Sequence, residues 1–270
     1  MLSEKPWKLM DFLVVMALLS LLLVVGIFSN LISATRENTP VETEGQVANF
    51  IVSLVLYGAV LALVHLIVRG RESSWRTAFG FRSTRPFSAL LMALGVTCIA
   101  FPIARYLGIL SVEVMDMLGK KAVPQPSVQM LRTTASVGPQ MFLAILAIGV
   151  APLTEELLFR GILFPFIKQQ GYPKLALWGS AVLFGALHLN LMTFVPLTFL
   201  GVLLAWLYDT TDNLVAPIFA HSLFNFANFL LAVMENVTWD WMIVGFAALA
   251  TGGTAVGILI LFRQRNGVEN

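Results

Sequence analysis

Apolar residues fall in long runs near 10–32, 47–68, 86–110, 139–164, 174–190, 194–209, 213–234 and 241–262. About 20 such residues in a helix cross the hydrocarbon core of a bilayer. The pattern therefore predicts an all-α, polytopic transmembrane helix bundle of about eight spans. Runs 174–190 and 194–209 are short and closely joined. They read equally as two spans or as one re-entrant hairpin. The first run follows Lys5 and Lys8, as in a signal peptide, but exceeds the usual apolar core of about 7–15 residues. It is read as a retained span. No composition break divides the chain, so residues 1–270 form one integral membrane domain, with a motif-bearing core over about 139–235.

Loop charge orients the bundle. With the N-terminus inside, the inner segments hold Lys5, Lys8, Arg69, Arg71, Arg76, Arg82, Arg85, Lys168, Lys174, Arg263 and Arg265. The outer loops hold only Arg36, Lys120, Lys121 and Arg132. By the positive-inside rule both termini are cytoplasmic. The basic loop 70–86 reads either as a contact for anionic headgroups or as a plain topological signal. The outer loop 111–138 has room for a short amphipathic helix. Asn236, Val237 and Thr238 form a glycosylation tripeptide of a kind that arises often by chance.

Composition agrees with a bilayer as solvent. The chain of 270 residues is 58% hydrophobic and 12% charged, with a mean hydropathy of +0.83. Soluble domains carry about 25% charged residues. A net charge of +2, with no basic run interleaved with aromatics, excludes a nucleic-acid partner. Membrane lipids are the expected surroundings. The single cysteine, Cys98, reads as a small buried hydrophobe.

Ionisable groups inside apolar runs cost about 2.5–3.5 kcal/mol each at mid-span and mark candidate chemistry. Glu155 and Glu156 are adjacent, so on a helix they face different neighbours. Glu156 and Arg160 are four apart and share a face. Their pairing leaves Glu155 without a local partner, to be served by a polar cavity, a metal or a proton. A carboxylate so placed suits general-base work. Pro152 and Pro165 flank it and open the helix ladder. Phe184 and His188 form a second site. Gly185 and Ala186 between them allow close helix approach. A lone intramembrane histidine is as often a hydrogen-bonded core residue as a functional one. His221 and Asn225, with Asn228 beyond, form a third site on one face, and a plain hydrogen-bonding seam is its structural alternative.

At about 1.5 Å per residue, Glu155 lies roughly 20 Å from Lys168, His188 roughly 21 Å from Lys174 and His221 roughly 14 Å from Asp212. The three sites are thus expected to meet in the inner half or middle of the membrane. Of the 3 histidines, His65 alone falls outside them, near Arg69 at the interface. Glu155, His188 and His221 also make a plausible set of zinc ligands. No H-E-x-x-H, G-x-S-x-G or paired intramembrane aspartate is present, which argues against soluble-type zinc, serine and aspartyl proteolysis. A proton-coupled transporter or channel would spread its acids over several helices and show a repeat. Here they are concentrated at one dipeptide.

Taken together, Glu155, Glu156 and Arg160, then Phe184 and His188, then His221 and Asn225 resemble the CPBP family of CAAX proteases and bacteriocin-processing enzymes, formerly the Abi family. Its pattern is E-E-x-x-x-R, F-x-x-x-H and H-x-x-x-N on successive membrane helices. The resemblance implies cleavage of a peptide bond near the C-terminus of a membrane-associated peptide or lipidated, prenylated protein. It implies that Glu155 and His188 activate water and that His221 and Asn225 stabilise the oxyanion. Glu156 and Arg160 would position the site. If a divalent metal such as zinc takes part, Glu155, His188 and His221 are its ligands; water activation without a metal is the other form. A catalytically silent scaffold would show an eroded motif, and none is eroded. The chain has the compact look of a bacterial member, which places it in a plasma membrane.

Overall fold

The computed structural model describes residues 2–34, 43–81, 86–133 and 137–233. Every regular element among them is helical: α1 Leu9–Ala34, α2 Thr43–Gly70, α3 Trp75–Ala78, α4 Pro86–Met117, α5 Pro126–Thr133, α6 Val137–Ile145, α7 Ala151–Glu156, α8 Phe164–Gln169, α9 Pro173–Ala186, α10 Leu191–Thr211 and α11 Val215–Val233. α6, α7 and α8 are parts of one helix, Val137–Gln169, joined by two π-helical segments.

Among the described residues, five helices are long and apolar enough to cross a membrane: Ile51–Gly70, Phe87–Met117, Val137–Gln169, Leu191–Thr211 and Val215–Val233. α1 adds a shorter apolar stretch, Leu9–Val25. The structure thus bears out a polytopic helical bundle, but eight spans are not reproduced among the described residues. Run 174–190 becomes the 14-residue α9, about 21 Å long and short of the ~30 Å hydrocarbon core. Run 241–262 lies outside the described residues, as do Arg36, Arg82, Arg85, Arg263, Arg265 and the tripeptide at Asn236.

α10 is the central element. One face packs with α4 and α11 through Leu200, Leu204 and Leu207; Ala205 and Tyr208 join the second core, formed with α1, α2, α9 and the Val137–Gln169 helix. Glycine sets the closest approach. A Cβ on Gly185 would stand 2.9 Å from the Phe194 carbonyl oxygen, and one on Gly201 would stand 2.9 Å from Ala181 Cα. Both atoms belong to backbone and cannot swing aside.

Segments that charge places on one side of the membrane meet at one end of the bundle. Lys5 pairs with Asp212 at 2.6 Å, Arg71 grips Asp11 with two bonds at 2.7 and 2.8 Å, and Lys168 pairs with Asp209. At the other end the α4–α5 loop touches the start of α10: Asn190 donates to the Val123 carbonyl at 2.8 Å and Gln125 to Thr193 at 3.0 Å. α5 is the short helix expected in that loop. Exposed His65 stacks on Trp75 near the C-terminal end of α2.

Gly185→Ala should lower stability by about 1–3 kcal/mol through overpacking. Gly58→Ala, where a Cβ would meet nothing within 4 Å, should be neutral or slightly stabilising. Thermal unfolding in detergent compares the two.

Candidate functional site

The site begins with two prolines. Pro152 has no N–H to give, and the Ala151 N–H bonds the Leu146 carbonyl five residues back, in the π segment Leu146–Val150. The Ala147 carbonyl therefore finds neither its fourth nor its fifth neighbour as donor. The Asn225 side-chain amide donates to it at 2.8 Å. Pro165 likewise withholds an N–H from the Gly161 carbonyl, within the second π segment, Leu157–Leu163. Trp7 Nε1 takes that carbonyl at 2.6 Å. Sequence expected the prolines to open the ladder. They do so as two π segments, a feature that recurs at functional sites. The six residues of α7 lie between them and end in Glu155 and Glu156.

Glu156 and Arg160 are both fully buried. Arg160 Nη1 donates to Glu156 Oε1 at 2.8 Å, and Nη2 donates to the Gly201 carbonyl at 2.9 Å on α10. The guanidinium lies 4.7 Å over the Phe184 ring, a cation–π contact. His221 Nδ1 approaches the same Glu156 oxygen at 2.9 Å. An ionised carboxylate only accepts, so His221 carries its proton on Nδ1. A buried ion pair survives when its members also find hydrogen bonds, and this one draws them from α10 and α11. The expected pair of Glu156 and Arg160 is present, joined by His221.

Glu155 is placed differently. Its side chain is 26% exposed, while Oε2 is buried, without a hydrogen-bond partner, and 3.9 Å from His221 Nε2. The rest of the group lines a cavity of about 260 Å³ that also takes in Thr154, His188, Ser53 and Tyr57, with apolar walls including Leu19, Leu56 and Phe184. His188 Nδ1 lies 2.8 Å from the Phe184 carbonyl. A carbonyl only accepts, so Nδ1 carries the proton and Nε2 is left as an acceptor.

Glu155 and His188 thus share one cavity, and His221 stands behind Glu155. Three placements could not be read from spacing alone. His188 is not inside a spanning helix: α9 stops at Ala186 and the chain turns back through Leu189, whose φ is +49°, before Asn190 caps α10 by accepting from the Thr193 N–H. Asn225 does share a face with His221, yet neither belongs to the cavity wall. Asn228 does not extend the stripe, because its amide bonds the Phe224 carbonyl of its own helix. Among the described residues no three His, Cys, Asp or Glu side chains gather closely enough to hold a metal ion. The ligand set Glu155, His188 and His221 is therefore not assembled in this geometry.

Sequence reasoning missed Phe184 as a hub. Its ring stands edge-on to Phe159, His188 and His221 at centroid distances of 5.3, 5.1 and 5.5 Å. It also missed Ser53 and Tyr57. Their i, i+4 spacing in an otherwise apolar helix was the available signal.

Residues 137–227 match the family model "Rce1-like: Type II CAAX prenyl endopeptidase Rce1-like". Over 76 residues the chain is 36% identical to the "Putative membrane peptidase YdiL" of Bacillus subtilis (strain 168). That stretch is 28% of this chain and 31% of the relative, so the similarity spans about a third of the relative's length. No solved structure matches the chain.

Arg160→Met removes one member of the buried pair and should cost about 3–5 kcal/mol. Arg160→Lys cannot reach both Glu156 and Gly201 and should fall between wild type and Arg160→Met. Unfolding midpoints in detergent order the three.

Proposed function

We propose that the chain, whose residues 137–227 match the model of type II CAAX prenyl endopeptidase Rce1-like proteins, is an intramembrane endopeptidase of the CPBP family. It hydrolyses a peptide bond near the C-terminus of a membrane-associated protein or peptide, with a prenylated CAAX-type tail as the substrate class. The observation that carries this reading is the placement of Glu155. One carboxylate oxygen is turned toward His221, and the group opens on an apolar cavity that also holds His188.

A water between Glu155 and His188 Nε2 gives its proton to Glu155, and the hydroxide adds to the scissile carbonyl carbon. General-base help of this kind is worth roughly 10²–10⁴-fold. His221 Nε2, facing Glu155 Oε2, shares the proton that Glu155 has gained. The tetrahedral intermediate collapses with cleavage of the C–N bond, and Glu155 returns the proton to the departing amine. While that proton rests on Nε2, His221 is a donor for the oxyanion together with the second amide N–H of Asn225, and it passes the proton back to Glu155 before collapse. Glu156 and Arg160 hold His221 and the helix in place. The apolar walls suit a lipidated tail, which reaches the site through the bilayer. We place the protein in a bacterial plasma membrane with both termini cytoplasmic.

The test uses purified full-length protein and a quenched peptide with a farnesylated Cys-aliphatic-aliphatic-X tail. Glu155→Ala and His188→Ala should each lower cleavage by at least about 10²-fold while the unfolding midpoint is kept. Unchanged turnover in either variant contradicts its role. Proton flux into liposomes that depends on Glu155, with no peptide cut, would favour a transporter.

A further inference from the structure

α2 carries no motif, yet it forms a wall of the cavity. Ser53, Leu56, Tyr57 and Val60 all line it, and the spacing of 3, 1 and 3 residues defines one helical face. α2 packs against α7, the segment that bears Glu155. Tyr57 and Glu155 line the same cavity.

The cavity wall holds few hydrogen-bond donors, and most are committed. The Thr154 hydroxyl donates within its own helix, to the Val150 and Ala151 carbonyls at 2.9 and 3.0 Å. His188 Nδ1 is held by the Phe184 carbonyl. Ser53 has a partner of its own. Tyr57 remains, with a phenolic O–H at the end of a rigid ring anchored in α2. The chemistry at Glu155 creates a need for such a group. When hydroxide adds to the scissile carbonyl, the carbonyl oxygen becomes an anion in an apolar cavity. A donor fixed in advance stabilises that anion strongly because it need not reorganise.

We propose that the Tyr57 hydroxyl donates a hydrogen bond to the scissile carbonyl oxygen as it becomes an oxyanion, which makes Tyr57 a further catalytic residue. The proposal rests on the endopeptidase reading. Tyr57 keeps its proton throughout: the water proton goes to Glu155, the carbonyl π electrons move onto oxygen, and collapse releases the amine with the proton from Glu155. Tyr57 thus adds a donor from α2, in the cavity wall, to those assigned to His221 and Asn225 on α11.

Steady-state cleavage of the farnesylated peptide by wild type, Tyr57→Phe, Glu155→Gln and Leu56→Ala tests this, each checked by thermal unfolding. Phe keeps the ring and removes only the hydroxyl. Loss of an oxyanion donor should lower kcat by about 10²–10³-fold with KM nearly unchanged. Leu56→Ala, which trims the same wall without touching a donor, should raise KM and spare kcat. A Tyr57→Phe kcat near wild type, or a change in KM alone, overturns the proposal. If Tyr57→Phe retains activity while Glu155→Gln loses it, the endopeptidase reading stands and the Tyr57 role falls. If Glu155→Gln keeps wild-type activity while Tyr57→Phe loses it, the Tyr57 role stands and the base assignment falls. Absence of cleavage by wild type overturns both.

Discussion

Everything at the centre of this bundle depends on the buried contact of Arg160 with Glu156. Neither side chain meets solvent. Two charges in such a place are tolerable only if each is neutralised and hydrogen-bonded. Arg160 spans from Glu156 to the backbone of α10, and Glu156 spans from Arg160 to His221 on α11. Three helices are thereby fixed in one arrangement. The consequence for Glu155 follows from helix geometry. Its neighbour has absorbed the local cation, so Glu155 is left facing His221 on one side and the cavity on the other.

The prolines supply the second constraint. Each removes a backbone donor, and each freed carbonyl is taken by a side chain from a distant part of the chain, Ala147 by Asn225 and Gly161 by Trp7. A bare carbonyl in the interior would be costly. The irregular helix is thus tied at both π segments, and α7 is held between the ties. Asn225 holds the motif helix through this bond and stands outside the cavity wall.

Much of this was legible in the sequence because it is local. Apolar runs give the helices, and the i, i+4 spacing gives the pairing of Glu156 with Arg160. The end of α9 was not legible, since Leu187 and Leu189 continue the apolar run. The helix ends where the chain turns through Leu189, with a left-handed φ of +49°, and Asn190 caps the start of α10. The bond from His221 to Glu156 joins residues 65 apart, and no local pattern reports it. Tyr57 shares an i, i+4 spacing with Ser53, but the spacing does not say what that face meets. A tyrosine in an apolar helix has no assigned face until another helix is laid against it.

The central claim is a division of labour between adjacent carboxylates, one spent on structure and one free for chemistry. The most direct test is the unfolding midpoint of Glu155→Gln and Glu156→Gln in the same detergent. Each change is isosteric and removes one charge. Glu156→Gln leaves Arg160 buried without a counter-ion, and should lower the midpoint by roughly 10 °C, the equivalent of about 3–5 kcal/mol. Glu155→Gln should leave it unchanged or raise it. Equal losses in the two variants, or a larger loss in Glu155→Gln, would contradict the account.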